Sequence, residues 1–245
     1  MLHMNTRPTQ AVIHLDTEEG DRANLWLPEI VEVGNVGELL VFDDPAHPIA
    51  WTAPGEETLS YEVEIPGSLG LAASMRADDS GFTLEMEVGN RTDGNWGQVH
   101  TVVCLQLTTA TSFIDLTRER TYCVVDGSLT AMADLEMVGK GKPIFYFAVL
   151  PGHQAPLRHR DPYRERAKWL LSKPSPDHGF ICTTSVDGSK TVWTGWEEVQ
   201  YLQTNTMPSY ACLHANPFFG DIAAGETVRR RGRVGIANGP AESAL

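Results

Sequence analysis

Two histidines stand on stretches whose alternate residues differ in polarity. In Gln98–Leu107 one set is Val99, Thr101, Val103, Leu105 and Leu107, and the other is Gln98, His100, Val102, Cys104 and Gln106. In Tyr210–Ala215 the sets are Ala211, Leu213, Ala215 and Tyr210, Cys212, His214. Successive side chains of a strand point to opposite faces, so each stretch reads as a strand with one face for the core and one that is polar. If both polar faces line one concavity, His100 and His214 could work there as acid and base, or could hold a metal with one glutamate. An imidazole needs only a small pKa adjustment to exchange a proton near neutral pH. The alternative is two hydrogen-bonded histidines on separate sheets.

The densest run of aromatics and carboxylates is Trp193-Thr194-Gly195-Trp196-Glu197-Glu198-Val199-Gln200-Tyr201. An indole face suits the C–H face of a sugar ring and carboxylates accept from its hydroxyls. Trp196 is therefore a candidate stacking platform, and Glu197 or Glu198 a candidate second base or hydroxyl acceptor. Gln98 and Tyr210 share the histidine faces and are candidate substrate contacts. Arg118, in the loop of Asp115 and Arg120, could clamp an acidic group through its planar fork, or could serve a structural ion pair. Arg158 and Arg160 precede a candidate helix and are further candidate contacts for an anionic group, with docking on an acidic neighbour as the competing reading.

Placing these side chains is the task of a β fold. Period-two alternation, interrupted by Gly, Pro, Asn or Asp about every ten residues, runs through most of the 245-residue chain and marks an all-β, antiparallel sandwich. Asp126-Gly127 and Asp187-Gly188 supply residues tolerant of positive φ where hairpins turn. One segment departs: Asp161 and Pro162 can start a helix, and Tyr163, Ala167, Leu170 and Leu171 share one helical face, which predicts a helix over 161–172. Residues 151–178 read as one loop-and-helix excursion bordering the site, in a single domain spanning 1–245.

The formal charge of −13 is uneven. Residues 1–139 hold 6 Lys and Arg against 23 Asp and Glu, and residues 140–245 hold 13 against 9. An acidic surface repels a phosphate backbone, so nucleic acid is not expected as a partner. The basic runs, among them Arg229-Arg230-Arg231-Gly232-Arg233, are expected to pair with acids of the first half. Four cysteines without CxxC spacing read as reduced, structural thiols, and neither GxGxxG nor a P-loop is present. No cofactor and no metal site is expected, and no membrane association, since no apolar run has the roughly 18 residues of a spanning helix. A cytoplasmic address and a possible homo-oligomer complete the expectation.

Phe82-Thr83-Leu84-Glu85-Met86-Glu87-Val88-Gly89-Asn90-Arg91-Thr92-Asp93 resembles the strand, Asn and turn of the galactose-mutarotase-like sugar-binding sandwiches. Ile222-Ala223-Ala224-Gly225-Glu226-Thr227-Val228 is similar to their closing turn, and His214-Ala215-Asn216-Pro217-Phe218-Phe219 to their His-Pro-aromatic segment. The resemblance implies a large twisted sandwich that binds a mono- or oligosaccharide, neutral or acidic, on a concave sheet face. It also implies, for an enzyme of this kind, a His acid with a carboxylate base in epimerase- or lyase-type chemistry. A non-catalytic sugar-binding module and a structural, oligomer-forming sandwich are the alternatives.

Overall fold

The computed structural model describes residues 3–7, 10–15, 17, 19–41, 44–55, 57–139, 145–154 and 169–245. In chain order the strands are β1 (His3–Arg7), β2 (Gln10–His14), β3 (Arg22–Val33), β4 (Gly37–Val41), β5 (Thr52–Gly55), β6 (Thr58–Ile65) and β7 (Leu69–Asp78). They continue with β8 (Gly81–Asn90), β9 (Trp96–Gln106), β10 (Thr121–Val125), β11 (Ser128–Ala131), β12 (Met137–Val138) and β13 (Phe145–Val149). The last are β14 (Trp169–Ser172), β15 (Phe180–Thr184), β16 (Lys190–Trp196), β17 (Val199–Asn205), β18 (Cys212–Ile222) and β19 (Thr227–Asn238). The all-β expectation holds. No helix among the described residues is long and apolar enough to cross a membrane.

Two sheets enclose the core. One runs β1-β2-β3-β9-β18-β17-β13-β14-β12, with β4 also on β3, and the other runs β11-β10-β15-β16-β19-β8-β7-β6-β5. Their inner faces bury alternating residues such as Leu25 and Leu27 of β3, Val103 and Leu105 of β9, Leu84 and Met86 of β8, and Ile181 of β15. Hydrophobic burial on this scale is the main stabilising term of a sandwich. The β10–β11 hairpin turns where the sequence indicates: Val125 pairs with Ser128 across Asp126 and Gly127, whose φ values are 51° and 72°.

The two longer segments that resemble the sugar-binding sandwiches meet at Asn90, which is fully buried. Its amide donates to Gly94 O at 2.7 Å and Ile222 O at 3.1 Å, while its side-chain oxygen accepts from Thr92 N at 2.9 Å. Its backbone bonds to Glu226 O and from Gly225 N. One side chain thus ties the turn after β8 to the turn before β19.

The basic run of β19 pairs as its charge asymmetry suggests. Arg229 and Arg231 stand cross-strand from Glu87 and Glu85 of β8 and bridge to them, and Arg233 holds Asp78 at 2.8 Å. The helix expected over 161–172 is corrected where the structure describes it. Trp169–Ser172 is a strand, parallel to β13, with Leu170 packed toward the core. The edge of β13 offers unpaired backbone groups, and bonding to them satisfies Trp169–Leu171 in an extended form. Residues 161–168 lie outside the described residues.

Candidate functional site

The outer face of the ten-stranded sheet carries a cavity of about 370 Å³, over its central strands. Strand parity builds it. On β9, Val103 and Leu105 face the core, so Val102, Cys104 and Gln106 face the cavity. On β18 the core takes Leu213 and Ala215 and the cavity takes Cys212 and His214. On β17, Leu202 turns inward while Tyr201, Gln203 and Asn205 turn outward, and all seven residues of the strand are buried. β13 adds Phe145 and Phe147.

β3 contributes through an irregularity. Trp26 pairs with Cys104 and Ile30 with Val102, so four steps along β3 match two along β9. The surplus residues bulge, and a bulge re-aims side chains. Trp26 and Glu29 both reach the cavity wall as a result.

A polar network crosses the floor. Asn24 donates to Gln106 Oε1 at 3.2 Å. Asn205 Nδ2 donates to Cys212 Sγ at 2.8 Å and to Tyr210 O, and Asn205 Oδ1 accepts from Met207 N at 3.1 Å. Asn205 therefore anchors the rim that carries Met207 and the exposed Tyr210. Cys212 Sγ and His214 Nε2 lie 2.9 Å apart. Burial pushes the Cys212 thiol up, but hydrogen bonding with Cys104 and the charge and hydrogen bond of His214 outweigh it, leaving Cys212 below the ordinary thiol range. Cys104 moves the other way, raised by burial, by Cys212 and by the Glu29 carboxylate.

The expected site residues divide. His214 and Tyr210 line the cavity. His100 is on the same face of β9 but pairs with Phe218, whereas the register of Leu213 with Leu105 sets His214 beside Cys104. The two histidines are four strand positions apart, about 13 Å along the sheet. His100 instead packs edge-on to Tyr201, with ring centroids 5.8 Å apart, and its Nε2 lies 2.7 Å from Glu32 Oε2. Gln98 is exposed at the far end of β9, its backbone bonded to Asp221.

Trp196 is buried in the core and borders a hollow on the other sheet, together with Trp193 and Glu197. Glu197 and Glu198 are exposed on the link from β16 to β17, where Glu197 accepts from Arg231 N at 3.3 Å. Arg118 donates to Met132 O at 2.8 Å and lies 3.6 Å over the ring of Tyr146. Arg158 and Arg160 lie outside the described residues. The residues not foreseen are Trp26, Glu29, Phe147, Tyr201, Gln203 and Asn205. The one legible signal was parity in Asn24-Leu25-Trp26, which sets Asn24 and Trp26 opposite and next to a core leucine.

Two packed, mainly antiparallel sheets with a cavity on the face of the larger one define a β-sandwich. Across 97% of this chain the fold matches a protein of Escherichia coli K12 described as a candidate aldose 1-epimerase, with TM-score 0.52, 8% identity and 99% of that chain covered. A galactose mutarotase related enzyme from Lactobacillus acidophilus aligns over 100% of both chains with TM-score 0.49 and 9% identity. At such identities the likeness is one of fold. No protein-family model matches the chain, and no curated protein matches it.

Proposed function

We propose that the chain binds a neutral mono- or oligosaccharide in the cavity over β9, β18 and β17. The observation that carries this reading is the composition of the walls. Aromatic faces of Trp26, Phe147 and Tyr201 stand beside the amides of Gln106 and Gln203. Rings offer a surface for the C–H face of a pyranose, and amides offer a donor and an acceptor for its hydroxyls. The volume falls within the roughly 300–1,000 Å³ of small-ligand sites. Among the described residues the lining holds no Lys or Arg and does hold Glu29, which favours a neutral sugar over an acidic one. The fold shared with the E. coli protein described as a candidate aldose 1-epimerase supports the same ligand class.

The test is a thermal-shift panel of neutral sugars, sugar acids and polyols, followed by calorimetry on the best ligand. A ligand at 100 times its Kd adds about 2.7 kcal/mol of stability. Trp26→Ala and Gln203→Leu should each weaken binding about tenfold or more, a loss of about 1.4 kcal/mol. A flat panel, or binding that both substitutions leave unchanged, overturns the proposal.

A further inference from the structure

We infer that Cys104, Cys212 and His214 form a Zn²⁺ site with three protein ligands and a fourth position open to the cavity. The Sγ atoms and an imidazole nitrogen of these residues all lie within 4.8 Å of one another. All three side chains are buried, with exposures of 6%, 6% and 3%. Exposed acidic groups gather by chance. Two buried thiols and an imidazole converging on the wall of an open cavity are a more demanding arrangement.

The backbone explains the convergence. Cys212 and His214 are two apart on β18 and so share a face, and the pairing of Leu213 with Leu105 brings Cys104 of β9 alongside His214. Both strands are central in their sheet, flanked by β3 and β17, so the donor set sits on rigid elements. Zn–S bonds of about 2.3 Å and Zn–N bonds of about 2.0 Å in a tetrahedron require ligand atoms about 3.5–3.8 Å apart. The observed Sγ to Nε2 distance of 2.9 Å needs to open by about 0.6–0.9 Å.

The chemistry of the donors selects the metal class. Thiolates and imidazole favour Zn²⁺ over Mg²⁺ or Ca²⁺, which take oxygen ligands. A ligating sulfur is commonly supported by an outer partner, and Asn205 Nδ2 already donates to Cys212 Sγ at 2.8 Å. Three protein ligands with an open fourth position is the pattern of zinc sites that bind a water or a ligand. Glu29 lines the same cavity, where it can complete the coordination or accept from a bound water. This inference does not rest on carbohydrate binding, because its readout is metal content.

The experiment uses the full chain, reduced and freed of metal by chelation, with its fold checked by circular dichroism. Titration with Zn²⁺ or Co²⁺ alone should saturate at one equivalent, and the Co²⁺ form should show thiolate-to-cobalt charge transfer with tetrahedral d–d bands. Cys104→Ser, Cys212→Ser and His214→Gln should each weaken Zn²⁺ binding by at least about 100-fold, more than loss of an outer partner does. Cys123→Ser and Cys182→Ser should leave it unchanged. Failure of the folded, reduced parent chain to take up either metal, or a Co²⁺ spectrum without sulfur charge transfer, overturns the inference. So does uptake that persists in the Cys104 and Cys212 variants. The cobalt spectrum of the parent protein keeps the test decisive if a variant misfolds.

Discussion

Glu32 and His100 face each other across β3 and β9, with carboxylate and imidazole 2.7 Å apart and both side chains sealed from solvent. Removing the carboxylate leaves the buried imidazole without this partner, at a cost of about 1–3 kcal/mol. Glu32→Ala is therefore expected to lower unfolding stability by about that much, and Glu32→Gln, which keeps a hydrogen-bonding amide, by clearly less. Urea denaturation of the two variants checks this. Equal and small losses would show that the pair contributes little to stability.

Gly232 is set by the ring across from it. A Cβ there would fall 2.4 Å from Trp196 Cδ2, and the two residues are cross-strand partners. Gly232→Ala should destabilise by about 1–3 kcal/mol through overpacking. Combining it with Trp196→Leu should cost less than the sum of the two single changes, since the indole that clashes is gone. Strict additivity in thermal unfolding would refute the contact.

Arg118 should behave as a structural residue. It covers Tyr146 and bonds Met132 O, and its own N–H is held by Asp115, which also accepts from Arg120 N and Thr121 Oγ1. Arg118→Gln is expected to lower stability by about 1–2 kcal/mol and to leave the affinity for any cavity ligand unchanged. Lost ligand binding with intact stability would return Arg118 to the role of substrate clamp.

Stability should fall on the alkaline side. Burial pushes the Cys123 thiol up to about 12, helped by the charge of Asp177. Burial also takes Cys182 to about 12, against a lowering hydrogen bond with the Tyr122 backbone. In the unfolded chain a thiol ionises near pH ~8.5, so each raised value contributes stability that is complete below that pH. The contribution is lost as pH climbs from there toward the folded value, by up to about 1.4 kcal/mol per pH unit per thiol. Denaturation midpoints from pH ~8 to ~10 should decline, and more gently in a Cys123→Ala/Cys182→Ala chain. The same slope in both proteins would sink the assignment.

The sandwich was legible because most of its strands are two-faced, and a two-faced strand writes its geometry as alternation. β9 shows this, with Val103 and Leu105 inward and Cys104 and Gln106 outward. β17 does not: Val199-Gln200-Tyr201-Leu202-Gln203-Thr204-Asn205 is buried on both faces, so its sequence lacks the polar-apolar contrast of a solvated strand. The site was half-legible for a related reason. Parity set His214 and Cys212 together because they share a strand, but only register between strands decides that Cys104 joins them and His100 does not. Register is a long-range property, and the bulge that brings Glu29 to the cavity is equally silent in local pattern.

Each sheet is completed by a strand far along the chain from its partner, β18 in one and β19 in the other. β9 meets β18, and β8 meets β19, through pairs such as Leu105 with Leu213 and Val88 with Val228. During synthesis the first half of the protein therefore leaves the ribosome with two long inner strands still presenting open edges. Neither edge is covered until β18 and β19 have emerged, and pairing over such separations is slow because loop closure comes before any contact rewards it. The cavity comes into being at that final step. In a chain cut short before β18, half of the sheet would have no partner, and its exposed edges would be open to joining another copy.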